Sequence, residues 1–138
     1  MTISIASLVL NDTDAVIALW HEAGLHPSRS DSEVVIAKAL AFQPDLFLVA
    51  KDGPRIVGTV WGAYDGRRGW IYRLAVAKSH RKCGLGQRLM DEVEKRLKVL
   101  GCDKINLLIE RDNIAVADFY GARGYRADDV VFMEKWLD

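Results

Sequence analysis

Three prolines, two cysteines and three histidines in 138 residues leave little material for several common architectures. Cys83 and Cys102 are too few for a disulfide framework and show no zinc-ligand spacing, so a reducing compartment and no metal are expected. His21 and His26 belong to no metal-binding constellation either. No stretch approaches the roughly 18 apolar residues of a membrane helix. The opening "MTISIASLVLND" lacks a basic segment and alternates like a strand, so no secretory signal is read there and the expected location is cytoplasmic. Net charge is missing too. With 19 Lys and Arg against 19 Asp and Glu, no global field draws the chain to nucleic acid or membrane. Repeats, low-complexity tracts and Pro/Ser-rich linkers are also absent, and the length suits one domain over residues 1–138.

What is present is periodic. Residues 2–9 alternate as a strand, and 12–24 read as a helix on Val16, Leu19, Trp20 and Ala23, stopped by Gly24. "SDSE" at 30–33 has the form of a capping box, for a second helix running to about Gln43. "DLFLVAKD" and "RIVGTVWGAYD" flank the turn "DGP" as a hairpin, and "WIYRLAV" at 70–76 follows a second turn. From Gly84 to Leu100 the period changes. Leu85, Leu89, Val93 and Leu97 recur every four residues, which predicts an amphipathic helix ending at Gly101. "KINLLIE" predicts a buried strand, Asn113 to about Ala122 a short helix, and "VVFMEKWL" a last strand. A strand–helix–strand crossover requires at least one parallel pair, so the expected fold is α/β (α+β) with a mixed sheet.

Charge is distributed unevenly. The stretch from Lys78 to Lys104 has an excess of basic residues and contains the loop "RKCGLG" at 81–86. Amides at a helix N-terminus lack intrahelical partners and favour an anion, and two glycines let a ligand approach the main chain. By itself the loop could equally be a packing turn with solvated cations. A P-loop is excluded because Gln87-Arg88 follow Gly86. A dinucleotide fingerprint is excluded because position 89 is Leu89.

"LAVAKSHRKCGLGQRLM", residues 74–90, resembles the motif of the GCN5-related N-acetyltransferase (GNAT) superfamily, with Arg81, Gly84 and Gly86 on its R/Q-x-x-G-x-G/A positions. "NIAVADFYGARGY" at 113–125 resembles the second signature through Asn113, Phe119, Tyr120, Gly124 and Tyr125. "GTVWGAYDGRRG" looks like the YpeA-type bacterial subgroup. Two positions depart from the pattern: Val116 where Ala is frequent, and Lys78 near a frequent Pro.

The resemblance implies a mostly antiparallel, twisted sheet of six to seven strands with about four helices, splayed between strands four and five. It implies acetyl-CoA as cosubstrate. Amides of Arg81, Lys82, Cys83, Gly84, Leu85 and Gly86, with Gln87, would hold its pyrophosphate, and Leu74, Ala75 and Val76 would pair with its pantetheine arm. The basic surface from Lys78 to Lys82, with Arg88, would attract the 3′-phosphate. Asn113 would reach the arm or cap its helix. Tyr120 would lie by the thioester sulfur and protonate or stabilise the leaving thiolate.

A base must also deprotonate the amine. Asp65, Glu110 and Tyr72 acting through water are candidates, and none is assigned; the position where some relatives place a glutamate holds Leu108. An amide around Ala75 could stabilise the acyl oxygen. Cys83 with His80 nearby has the elements of a covalent nucleophile, yet the loop faces phosphate and Cys83 reads as a bystander. Trp20, Arg29, Asp31, Tyr64, Asp65 and Tyr72 fall where such folds shape the amine side. The expected reaction is direct acetyl transfer to a primary amine of a small molecule or peptide. The alternatives are acetylation of a protein N-terminus or lysine, and a non-catalytic CoA-binding module. A homodimer is possible by analogy.

Overall fold

A computed structural model describes residues 2–138. In chain order its elements are β1 (Ile3–Ser7), α1 (Thr13–Glu22), α2 (Glu33–Phe42), β2 (Phe47–Asp52), β3 (Arg55–Tyr64), β4 (Gly69–Val76), α3 (Leu85–Val99), β5 (Ile105–Leu107) and α4 (Ala117–Ala122), with short 3₁₀ turns between some of them. The chain forms two compact units, one as far as Leu107 and one over Leu108–Asp138.

The first unit holds a five-stranded sheet in the order β1-β2-β3-β4-β5. The first three pairings are antiparallel, and β4 pairs with β5 in parallel. Helix α3 covers one face. Its stripe of Leu85, Leu89, Val93 and Leu97 is buried, as its four-residue period predicts, and the glycines of β3 let it sit close. A Cβ on Gly62 would stand 2.7 Å from Val93 Cγ2, and one on Gly58 2.9 Å from Leu89 Cδ1. Helix α1 covers the opposite face. Trp20 is fully buried there and stacks on Trp61 with centroids 6.4 Å apart, while Phe47 lies 4.7 Å from Trp61. Tyr72 meets Trp61 edge-on at 6.3 Å, so the aromatic contacts continue onto β4.

Several expectations change. The sheet has five strands among the described residues, not six to seven. Residues 130–137 form no strand, and Val131 is 85% exposed. Their β-prone composition meets no ladder partner among the described residues, and propensity without a partner does not make a strand. β5 is three residues long and half-buried rather than buried, with Leu108 exposed beyond it. The start of α2 also differs. Ser32, not Ser30, is its N-cap and accepts from the Val35 amide, and the reciprocal capping box joins Ser28 to Asp31 one turn earlier.

The packing of α3 on β3 is testable. Gly62→Ala should lower stability by about 1–3 kcal/mol through overpacking. Gly121 lies in α4 with nothing near its Cβ position. Gly121→Ala should therefore raise stability slightly, by about 0.5 kcal/mol. Urea midpoints of the two variants should move in opposite directions.

Candidate active site

The register of β3 against β4 contains one residue too many. Thr59 pairs with Ala75 and Trp61 with Tyr72, so Val60 alone faces Arg73 and Leu74. This is a β-bulge, which bends the strand and interrupts its ladder. Arg73 sits at φ +52°, a left-handed conformation uncommon for a residue with a side chain. Several bonds hold it there. Trp20 Nε1 donates to Thr59 Oγ1 at 2.9 Å, and Thr59 Oγ1 donates to the Arg73 carbonyl at 2.8 Å. The guanidinium donates to both oxygens of Asp31, at 3.1 and 2.5 Å, and to the His26 carbonyl at 3.2 Å. It also lies 5.6 Å from the Trp20 ring centre.

Past the bulge, β4 runs free of its neighbour. β5 pairs only with Gly69, Trp70 and Ile71, so among the described residues no strand covers the outer edge of Leu74, Ala75 and Val76. The polypeptide then turns through Lys78–His80 into the loop at 81–86. Lys82 and Gly84 both have positive φ, at +63° and +81°. Such turns gather main-chain amides into a concave donor site. Gly84 is the N-cap of α3, supplies no side-chain cap, and has open space where a Cβ would be. The first amides of a fifteen-residue helix are therefore presented beside Arg81 and Lys82, which are exposed. Uncapped amides, two cations and a free strand edge suit a diphosphate joined to an amide-bearing arm.

His80 fixes this loop from beneath. It is 9% exposed; its Nε2 donates to Asp52 Oδ2 at 2.9 Å and its Nδ1 meets Ser79 Oγ at 2.7 Å. Cys83 donates its thiol to the His80 carbonyl at 2.6 Å, and the imidazole faces elsewhere, so no thiol–imidazole pair exists. Arg81 reaches back to the Val76 carbonyl at 3.1 Å. Arg88 donates to the Ile3 carbonyl at 2.9 Å on β1, which occupies the cation expected near the 3′-phosphate.

The second unit carries Asn113 and Tyr120. Asn113 is exposed within the 3₁₀ segment Arg111–Val116, at a kink with φ −119°. It does not cap α4, whose N-cap is Val116 without a side-chain bond. Tyr120 is 8% exposed and meets Phe119 and Tyr125 edge-on at 5.2 and 5.6 Å. Burial pushes its phenol up to about 12, and Arg123 offsets this in part. Glu110 follows β5 instead of lying on it, and with Arg111, Asp112 and Val130–Phe132 lines a cleft of about 760 Å³.

Similarity to known proteins follows this geometry. Residues 13–125 match the family model described as the acetyltransferase (GNAT) family. The chain belongs to that family. An acetyltransferase of Pectobacterium atrosepticum is 40% identical over 92% of this chain and 90% of its own. An uncharacterized N-acetyltransferase of Yersinia pestis is 38% identical over 92% and 90%. Both agree with the bacterial subgroup that the sequence resembles. The fold is shared with the PaiA N-acetyltransferase of Thermoplasma acidophilum, solved with coenzyme A. There the TM-score is 0.84 at 21% identity, covering 95% of this chain and 94% of that one. The protein is thus an acyltransferase of the GNAT family.

Within this GNAT chain the candidate acceptor residues separate. Trp20 has no exposed surface and gives its N–H to Thr59, so it backs the wall without lining it. Asp31 is committed to Arg73 and Ser28, which leaves no free carboxylate there for an ammonium. Arg29 is exposed on the turn beside it. Tyr64 ends β3, its hydroxyl donating to the Gly66 carbonyl at 3.1 Å. Asp65 accepts from the Arg67 and Arg68 amides, both at 2.7 Å, and these bonds hold its carboxyl below the usual range. That makes it a weak base. Tyr72 is exposed, stacked on Trp70 at 6.4 Å, and burial of part of its ring raises its phenol, with Asp65 adding to the effect. It keeps its proton at neutral pH. Arg73 and Thr59 were not singled out from sequence, because each acts through a partner far along the chain, and His80, read there only beside Cys83, pairs with Asp52 instead.

The loop anchor gives a clear expectation. His80→Ala leaves Asp52 and Ser79 without their partner and should cost about 1–2 kcal/mol. It should also weaken 3′,5′-ADP and CoA alike, by a similar factor, in calorimetric titrations. Equal affinities to the parent protein would mean the loop holds its shape without the imidazole.

Proposed function

We propose that the protein transfers the acetyl group of acetyl-CoA to a primary amine of a small molecule or peptide, by direct attack with both substrates bound. The observation that carries this reading is the uncapped N-terminus of α3, flanked by Arg81 and Lys82 and adjoining a free β4 edge. The loop amides from Arg81 to Gln87 bind the diphosphate, and Leu74, Ala75 and Val76 pair main chain to main chain with the arm. Family matching from residue 13 to 125 runs through both units, which supports a single acetyltransferase domain.

Acetyl-CoA supplies the activated thioester when bound. The chain's own work is to align it, to accommodate the oxygen of the acyl carbonyl, and to manage two protons. An amide of the bulged strand near Ala75 is the donor in reach of the acyl oxygen on this reading. The amine loses a proton as its nitrogen bonds to the acyl carbon, and the departing sulfur needs one. Tyr120 serves the sulfur as a hydrogen-bond donor to the charge that develops there. Its phenol is held to about 12 by burial, so it is fully protonated at neutral pH and available as a donor. Exposed Tyr72, stacked on Trp70, offers the acceptor an aromatic surface next to the bulge.

Release of CoA thiol from acetyl-CoA in the presence of spermidine, tyramine, glucosamine or a peptide with a free N-terminus tests the proposal. Turnover with an amine supports it; tight CoA binding without turnover on any amine would instead make the protein a binding module. Tyr120→Phe should lower kcat by about 10–100-fold, the worth of a hydrogen bond to developing charge, with the KM for acetyl-CoA nearly constant. Because the phenol titrates near 12, Tyr120 should add no alkaline limb to the rate profile below about pH 11.

A further inference from the structure

We propose that Arg73 is a positioning residue for the acyl donor: by holding the β4 bulge, it selects which main-chain groups of Leu74–Val76 face the free edge. The inference rests on the acetyl-CoA reading above and deepens it. In an unbroken strand, residues two apart share a face. Here Tyr72 and Ala75, three apart, are both aligned with the α1 side of β3, opposite Trp61 and Thr59. A one-residue slip in a strand exchanges its faces, and with them the edge toward which each N–H and C=O points. Removing the bulge would therefore turn the amides of Leu74–Val76 from the open edge toward β3 and the reverse. A cosubstrate arm that pairs as an extra strand reads only those outward groups.

Arg73 is fitted for this task at both ends of one residue. Its carbonyl is taken by Thr59, which Trp20 orients from the aromatic core, and its guanidinium is taken by Asp31 and the His26 carbonyl. Asp31 is 6% exposed and tied in turn to the Ser28 amide at 2.7 Å, so the anchor on the α1–α2 connection is itself rigid. A left-handed arginine persists only where its surroundings over-determine it. None of these groups belongs to the diphosphate loop, which lies beyond Val76 and has its own anchors, His80 on Asp52 and Arg81 on the Val76 carbonyl.

That separation supplies the test. 3′,5′-ADP carries phosphates without the pantetheine arm, whereas CoA carries both. In calorimetric titrations, Arg73→Ala and Asp31→Asn should weaken CoA by about tenfold, the worth of one or two main-chain hydrogen bonds. 3′,5′-ADP should stay within about twofold. Arg73→Gly should recover part of the CoA affinity, because glycine adopts positive φ without strain even though it lacks the anchor. Arg96→Gln, which removes bonds from α3 to Ser7 and the Asp45 carbonyl, controls for simple loss of stability and should leave both affinities alone. Unchanged CoA binding in Arg73→Ala would overturn the inference. So would parallel loss of both ligands, which indicates general disorder. Failure of the parent protein to bind CoA at all would instead overturn the acetyl-CoA reading.

Discussion

Val60 on β3 faces two residues of β4, and that count governs the geometry around it. It bends β4 away from the line of its neighbours, puts Tyr72 and Ala75 on one face, and coincides with the end of pairing to β5. This bulge contains a left-handed residue, and the chain places an arginine there instead of glycine. Glycine would satisfy the backbone alone. Arginine adds a bidentate bond to a buried carboxylate 42 residues away, so the same position that bends the strand also ties down the connection between α1 and α2. Stripping one partner from such a pair leaves an uncompensated buried charge, at a cost on the order of 3 kcal/mol. The strain at Arg73 is smaller than that, on the order of 1–2 kcal/mol.

The loop at 81–86 depends on a different set of bonds. Its positive-φ residues, Lys82 and Gly84, make the amides converge, and the open helix end adds partial positive charge. Nothing in that arrangement fixes where the loop stands relative to the sheet. The His80–Asp52 bond does so, because Asp52 ends β2 and His80 immediately precedes the loop. Edge and loop thus have different anchors: one from α1 and the α1–α2 turn, the other from the end of β2. They share β3 and β4, and Arg81 joins the loop to the Val76 carbonyl. This is why a ligand bridging edge and loop can be dissected by fragments.

Much of this was readable from local pattern. The four-residue stripe of α3 appears in the order of residues and needs no distant partner, and the same holds for the alternation of β1 and for the apolar runs and turns of β2 to β4. The loop motif was legible because its glycines and cations are contiguous. What escaped depends on contacts between remote segments. Arg73 looks like an ordinary outward residue of "WIYRLAV", and Asp31 like a solvated charge, until the fold brings them together. The serines between 28 and 32 offer overlapping caps, and only the path of the chain chooses Ser32. The segment "VVFMEKWL" has the composition of a strand, but a strand is a property of two segments, and the described structure gives it no ladder. Asn113 failed as a helix cap because the chain kinks through a 3₁₀ segment before α4 begins.

The titration of Tyr120 bears on how the proposed chemistry handles its protons. A thiol in water titrates near 8.5. A phenol held near 12 is therefore a weaker acid than the thiol it would serve, by about three to four units. Complete transfer from phenol to thiolate runs uphill by about 5 kcal/mol, which a fast step does not need to spend. A hydrogen bond from the phenol to sulfur as charge builds there is a better use of the same group, since burial makes that bond strong while keeping the proton on oxygen. The sulfur's proton then comes from elsewhere, and the amine has one to lose. Asp65, with its carboxyl lowered by two backbone amides, is poorly matched to take it, and Tyr72, with its phenol raised, keeps its own. The simplest balance passes the amine's proton through water to the departing sulfur, with Tyr120 steadying the thiolate until it arrives.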